Sequence, residues 1–82
     1  MIKTAIITEG FKQTGYGHIT RCQSLYEGLN KSIFDPLLLI NGDKGAEALL
    51  NKSNYKIINW LANPESILDL LSGYDIAIID SY

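Results

Sequence analysis

The chain has 82 residues, 46% of them hydrophobic and 20% charged, which is typical of one small folded domain and excludes two independent domains or a disordered chain. Seven Lys and Arg against nine Asp and Glu give a net charge of -2, so no basic stripe is present and nucleic acid is not an expected partner. The longest apolar runs, at 37–40 and 76–79, are far shorter than a membrane-spanning helix, and the N-terminus has no signal-peptide layout. We therefore expect a soluble, cytoplasmic protein without a membrane partner.

Apolar runs alternate with helical patterns along the whole chain. Runs of β-branched and apolar residues predict strands, and apolar residues spaced three or four apart predict amphipathic helices. Asn63 is expected to cap the last helix, with Pro64 at its first position. The predicted elements, in chain order, are a strand at 2–8, a helix at 18–30, a strand at 34–40, a helix at 46–51, a strand at 55–61, a helix at 64–71 and a strand at 75–80.

This alternation predicts an α/β fold, a three-layer Rossmann-like sheet of parallel strands in the order 3-2-1-4. The Ile and Ala content of the last strand is typical of a strand covered on both faces, but no helix follows it in the chain. We therefore expect residues 1–82 to be the N-terminal part of a longer protein. The uncovered strand also predicts an exposed apolar face and self-association.

Ligands of parallel α/β sheets bind at the carboxyl ends of the strands, and the richest such segment here is residues 9–18. Gly15 and Gly17 permit a tight turn before a helix begins, so that backbone N–H groups and the positive helix end converge to receive an anion. The segment departs from the dinucleotide fingerprint, because Thr20 stands where its third glycine should be and no clean acidic residue closes the second strand to hold a ribose. No Walker A triplet occurs either, so we expect no nucleotide cofactor.

His18 stands in the first turn of the predicted helix, at the edge where the ligand crevice is expected. A lone histidine on the apolar side of a helix is often a satisfied core residue, and this interpretation stays open. The alternative is a general base, because the positive helix end disfavours the imidazolium ion and a base must be neutral. Arg21 follows one turn later; it either lies in solvent or reaches a carboxylate or phosphate at the same edge.

Two further residues close predicted elements near this edge. Cys22 is expected to pack in the core; as the only cysteine it excludes an internal disulfide, and with a single His it excludes the usual zinc site within one chain. Asp80 ends an apolar strand, where a carboxylate is costly unless hydrogen-bonded. We expect it to accept hydrogen bonds from N–H groups of the glycine turn or from a ligand at this edge, whereas Asp75, at the other end of that strand, is expected to be a cap or turn residue.

The string Gly15-Tyr16-Gly17-His18, followed after two residues by Arg21-Cys22, resembles the amino-terminal signature of the UDP-sugar hydrolases of pseudaminic acid biosynthesis and of related spore-coat polysaccharide proteins. The ending Asp80-Ser81-Tyr82 is similar to that family's hydrophobic-Asp-x-Tyr stretch after the fourth strand. More distantly, the glycine loop resembles that of the lipid II glucosaminyltransferases. Both resemblances imply the N-terminal part of a two-lobed GT-B architecture.

The resemblance implies a metal-independent enzyme without a cofactor, in which water attacks the anomeric carbon of a UDP-linked amino sugar and UDP is released. It implies that His18 is the catalytic base and that the nucleotide is held on a second lobe, so residues 1–82 alone are expected to be inactive. Two alternatives stay open: a GT-B glycosyltransferase of polysaccharide biosynthesis, and a non-catalytic homologue that binds a sugar or an anion. The candidate substrate-binding residues are Gly15, Tyr16, Gly17, Arg21, Asp80, Ser81 and Tyr82.

Overall fold

The computed structural model describes residues 1–50, 53–60 and 62–80. In this part of the chain all strands belong to one parallel sheet with the order β3-β2-β1-β4, which confirms the predicted Rossmann-like α/β fold. The elements are β1 (Ile2–Gly10), α1 (Gly17–Gly28), β2 (Phe34–Gly42), α2 (Lys44–Ala48), β3 (Tyr55–Ile57), α3 (Pro64–Leu71) and β4 (Ile76–Asp80).

The core lies on both faces of the sheet, because successive side chains of a strand point to opposite sides. On one face α1 and α2 cover the sheet, and on the other face α3 covers it, which gives the three predicted layers. The buried cluster on the first face contains Ile6, Ile19, Cys22, Tyr26, Leu38, Ile40, Ala46 and Leu50. The buried cluster on the second face contains Ala5, Ile7, Leu39 and Ile67.

The two central strands are each two residues longer than predicted. Glu9 pairs with Asn41, and Gly10 pairs with Gly42. Two glycines can continue the ladder where larger residues would collide: a Cβ at Gly42 would lie 2.9 Å from the Gly10 carbonyl oxygen, and one at Gly10 would meet the Ile19 side chain. The sheet therefore extends to the first residue of the loop that precedes α1.

Helix α1 ends two residues earlier than predicted. Leu29 has extended backbone dihedrals, which stop the helix after Gly28. The Lys31 ammonium donates hydrogen bonds to the carbonyl oxygens of Tyr26, Glu27 and Leu29, which the helix itself leaves unpaired. A lysine three residues beyond the helix thus supplies its C-terminal cap.

The short second helix and the third strand also differ from the prediction. Helix α2 begins at Lys44 and not at residue 46, because the Asp43 carboxylate caps it by accepting the Ala46 N–H at 3.0 Å. It ends at Ala48, and residue 51 of the predicted helix lies outside the described residues. Strand β3 ends at Ile57 and not at residue 61.

Helix α3 spans the predicted residues, but the expected cap is wrong. The Asn63 side chain makes no capping bond; its amide group donates to the Asn59 carbonyl oxygen at 3.4 Å. The first turn is closed instead by the Asn63 backbone carbonyl, which accepts the Ser66 N–H. At the start of β4, the Asp75 carboxylate accepts the Lys3 N–H at 2.9 Å across the amino edge of the sheet, so Asp75 links two strands and does not cap a helix.

Within residues 1–50, 53–60 and 62–80, no helix has the length and apolar character that crossing a membrane requires.

Strand β4 forms one edge of the sheet and is not covered on both faces, contrary to what its composition suggested. Ile79 is 68% exposed and Ile76 is 41% exposed.

Exposed apolar edge strands promote association, so we expect the chain to self-associate and the substitution Ile79→Lys to shift it toward monomer. Sedimentation velocity over a range of concentrations measures this, with Ile33→Lys, at an exposed site outside β4, as the control. A wild type that stays monomeric at high concentration would contradict the expectation.

Candidate functional site

The candidate site lies where the carboxyl ends of β1 and β4 meet the start of α1. Strand β2 pairs with one side of β1, and β4 pairs with its other side. The strand order therefore reverses direction between β1 and β4. A reversal of this kind opens a crevice at the carboxyl ends of the two strands. Thr8 of β1 and Asp80 of β4 are register partners at this end, and both face α1.

His18 and Asp80 meet at this end of the sheet. The imidazole Nδ1 lies 2.7 Å from Asp80 Oδ1, and the two side chains are 16% and 23% exposed. Helix α1 brings His18 over the sheet in its first turn, and Asp80 projects toward the helix because it shares the orientation of Thr8. Partial burial of a close pair makes this contact stronger than one between two solvent-exposed groups.

Arg21 completes the group by binding the same carboxylate with two donors. Its Nε lies 2.7 Å from Asp80 Oδ2, and its Nη2 lies 2.8 Å from Oδ1, which is a bidentate arrangement. These hydrogen bonds hold the pKa of Asp80 well below its usual range; the bond from His18 acts in the same direction, and partial burial opposes both. Arg21 therefore binds the Asp80 carboxylate of its own chain. Its contact with a ligand stays a prediction.

The hydrogen-bond network assigns the tautomer of His18. Nδ1 lies 2.7 Å from both Asp80 Oδ1 and Arg21 Nη2, and it cannot donate to one and accept from the other at the same time. A lone pair on Nδ1 could accept from Arg21 Nη2 but would face a negative oxygen, whereas a proton there gives the carboxylate a donor, and Arg21 Nη2 keeps its own bond to Asp80 Oδ1. We therefore infer a proton on Nδ1, which leaves the lone pair of the neutral ring on Nε2.

Cys22 packs beneath this group, as predicted for a core residue, but it has polar neighbours that the sequence did not suggest. The thiol is buried, and Sγ lies 3.6 Å from Asp80 Oδ2. Burial is the main cause that raises the pKa of Cys22, and the negative charge of Asp80 adds to it, while the Thr8 hydroxyl opposes it. The thiol therefore acts as a weak donor in the site and not as a nucleophile.

The pKa of Asp80 links this group to acid stability. Because its folded pKa lies below the unfolded value of about 3.9, the network stabilises the fold above about pH 4, and this contribution is lost as the pH falls further. Urea unfolding from pH 2 to 7 should show a wild-type advantage over Asp80→Asn that is full near neutral pH and shrinks below about pH 4. Asp75→Asn, at the other end of β4, controls for the loss of one charge. A difference independent of pH would contradict this expectation.

The loop before α1 is a tight turn, as predicted. The Gly15 and Thr14 N–H groups both donate to the Phe11 carbonyl oxygen, at 2.7 and 3.1 Å. Gly15 has a φ of 88°, a left-handed conformation that favours glycine. Gly17, the first residue of α1, does not need this conformation, and a Cβ there would meet no atom within 4 Å.

Asp80 does not hold this loop, which corrects the prediction that it binds the glycine turn. Asp43 holds it: its Oδ2 accepts the Lys12 N–H at 2.9 Å, and its Oδ1 accepts the Tyr16 hydroxyl at 2.9 Å. Asp43 directly follows β2, and its carboxylate is bound to the loop and to the start of α2. An aspartate between an apolar run and a helix is a recognisable capping signal, but nothing local showed that it also binds the loop.

The Asp43 contacts also change the acidity of both partners. The Lys12 N–H is the main cause that lowers the pKa of Asp43, and the bonds from Ala46 and Tyr16 add to it. Its carboxylate in turn raises the pKa of Tyr16, chiefly through their hydrogen bond. The ionised carboxylate and the neutral phenol are therefore the stable pair.

The structure thus brings together three of the predicted site residues, His18, Arg21 and Asp80. The predicted residues Gly15 and Tyr16 lie on the neighbouring loop and Gly17 begins α1, and the Tyr16 side chain is turned toward the end of β2. Ser81 and Tyr82, which were also predicted to bind substrate, lie outside the described residues.

No family model, curated protein or solved structure matches this chain. Its chemistry therefore has to be argued from its own side chains. An imidazole oriented by an ionised carboxylate, beside a helix N-terminus at a sheet crevice, can accept a proton near a bound anion. In residues 1–50, 53–60 and 62–80, no three His, Cys, Asp or Glu side chains are grouped as metal ligands would be.

Proposed function

We propose that the chain contributes the catalytic histidine and the sugar side of the site to an enzyme that hydrolyses a UDP-linked amino sugar. The observation that carries this proposal is the 2.7 Å contact between His18 Nδ1 and Asp80 Oδ1 at the carboxyl end of the sheet. In the proposed reaction, water attacks the anomeric carbon and its proton passes to His18 Nε2. The bond from that carbon to the diphosphate oxygen breaks, and its electron pair leaves with UDP.

Asp80 has a specific part in this proposal. Its carboxylate fixes the ring so that Nε2 is the basic atom, and its negative charge stabilises the imidazolium ion that forms when the proton arrives. Arg21 keeps the carboxylate ionised and oriented through its two donors. The same three side chains therefore supply the base, its orientation and its electrostatic support.

The neighbouring backbone suits an anionic substrate. The first N–H groups of α1 lack helical partners and carry the positive end of the helix dipole, which favours a phosphate or a developing negative charge. The resemblance of this segment to the UDP-sugar hydrolases supports UDP as the leaving group. The cytoplasmic location is part of the same proposal, and the single buried, free Cys22 is compatible with a reducing compartment.

The experiment that tests the function is isotope labelling of the full-length protein in H₂¹⁸O with UDP-linked amino sugars. Hydrolysis at the anomeric carbon places ¹⁸O in the free sugar, and attack at phosphorus places it in the phosphate. Release of UDP only after an acceptor saccharide is added would support a glycosyltransferase instead. If UDP is released neither with nor without an acceptor saccharide, the result would support a module that only binds its ligand.

Gly17 gives a separate prediction, because the fold itself does not require glycine there. Gly17→Ala should unfold at the same urea concentration as the wild type or higher, with a gain of up to about 1 kcal/mol. If the substrate approaches this backbone closely, the same substitution should raise KM severalfold. Gly28→Ala is the matched control, since a Cβ at that position of the same helix also meets nothing within 4 Å. Equal KM values for the two variants would show that Gly17 does not contact the substrate.

A further inference from the structure

Asp43 joins two segments that are distant in the chain, and we name this arrangement the clasp: Asp43, the Tyr16 side chain and the Lys12 backbone N–H. Both bonds from the loop to the carboxylate measure 2.9 Å. The carboxylate is itself held in place, because it caps α2 through the Ala46 N–H. The loop is therefore fastened to a rigid point at the end of β2.

The Tyr16 ring also has a defined seat. Its hydroxyl lies where a Cβ at Gly45 would stand, and its Cδ1 lies 3.3 Å from the position of a Cβ at Gly10. Two glycines on neighbouring segments thus leave room for one aromatic side chain. The ring packs against the buried cluster beneath α1, which adds apolar contact to the hydrogen bond.

The position of Tyr16 determines where α1 begins. Its carbonyl oxygen accepts the Thr20 N–H at 3.0 Å, which is the first hydrogen bond of the helix. The residues on either side are Gly15 and Gly17, whose backbones are intrinsically permissive because they lack a Cβ, and no atom lies within 4 Å of where a Cβ would stand. The side-chain anchor of Tyr16 is therefore what places the first turn, which carries His18.

We propose that Asp43 is a positioning residue for His18: by holding Tyr16 and Lys12 it places the first turn of α1 so that the imidazole meets Asp80. The placement of the ring stands on the geometry alone, and only its consequence for turnover rests on the proposed function. Asp43 acts through the loop, and Asp80 acts on the ring directly.

The test uses ¹⁵N-labelled protein and the imidazole signals of its only histidine, which report the tautomer without any substrate. Tyr16→Phe removes one hydroxyl and keeps the ring. Asp43→Asn keeps one oxygen, which can still accept the Ala46 N–H. It replaces the other carboxylate oxygen, which accepts the Lys12 N–H, with an NH₂ group. Tyr74→Phe and Asp75→Asn, both at the amino edge of the sheet, are the matched controls.

In the wild type and both controls, the spectrum should show the Nδ1–H tautomer. Asp43→Asn should increase hydrogen exchange of the Lys12 amide roughly 10- to 100-fold, the range expected for losing one hydrogen bond to a charged group. Both clasp variants should shift His18 toward a mixture of tautomers while the strand amides keep their wild-type dispersion. An unchanged His18 spectrum in both variants would overturn the proposal, even if the loop exchanges faster.

The two proposals fail in different ways. If the wild type releases no UDP but the clasp variants alter the His18 spectrum, the positioning role stands and the hydrolase assignment fails. If the wild type hydrolyses the substrate and the clasp variants keep both the spectrum and kcat, the hydrolase assignment stands and the positioning role is overturned. A lower kcat with unchanged KM in Tyr16→Phe would support both.

Discussion

His18→Asn should lower the turnover of the full-length protein by roughly 10²–10⁴-fold, the range expected when a general base is lost. Asparagine can still accept a hydrogen bond but cannot take a proton from water at neutral pH. His18→Ala should have a similar effect, because the lost step is proton transfer and not packing. Under the proposed function UDP affinity should hardly change, because that proposal gives this chain the sugar side of the site.

The measurement is steady-state release of UDP, with UDP affinity followed by calorimetry for the wild type and both variants. Glu27→Gln, on the exposed side of α1, controls for a general effect of changing that helix. Near-wild-type turnover in the His18 variants would mean that the histidine is structural. A parallel loss of turnover and UDP affinity would make it a phosphate ligand.

Asp80→Asn should have the second large effect, again roughly 10²–10⁴-fold on turnover. The new amide would turn its oxygen toward Arg21, which has only donors, and would present its NH₂ group to His18 Nδ1. The ring would then carry its proton on Nε2, where the lone pair of the base is needed. Loss of the charged hydrogen bonds should also reduce the free energy of unfolding by roughly 1–3 kcal/mol.

Two measurements separate these effects. Imidazole ¹⁵N shifts should move from the Nδ1–H pattern to the Nε2–H pattern, and kcat should fall while the variant is still folded at the assay temperature. Asp75→Asn should leave both quantities unchanged. A variant that keeps the wild-type tautomer but loses activity would show that Asp80 acts on the substrate and not through His18.

The sequence by itself determined the alternation of strands and helices, because hydropathy repeats with the local period of each element. Apolar runs with no polar alternation are found in strands buried between helices, and four of them with helical segments between favour a parallel sheet. His18 was identified for a similarly local reason, since it follows a glycine turn and opens a helix. Element ends were less accurate, because caps such as Lys31 and Asp43 lie outside the periodic segments.

Only the tertiary structure decided which groups each of the two aspartates, Asp80 and Asp43, binds. Asp80 binds His18 and Arg21, which are 62 and 59 residues away in the chain, because strand register and the α1 layer bring them to one point. Asp43 reaches Lys12 and Tyr16 across 31 and 27 residues, by way of the neighbouring strand end. Hydropathy has no information about such pairs, because each contact depends on register, on the face of the sheet and on side-chain reach. The sequence therefore located the carboxyl end of the sheet and its histidine, and the packing of the sheet against α1 assigned the two aspartates.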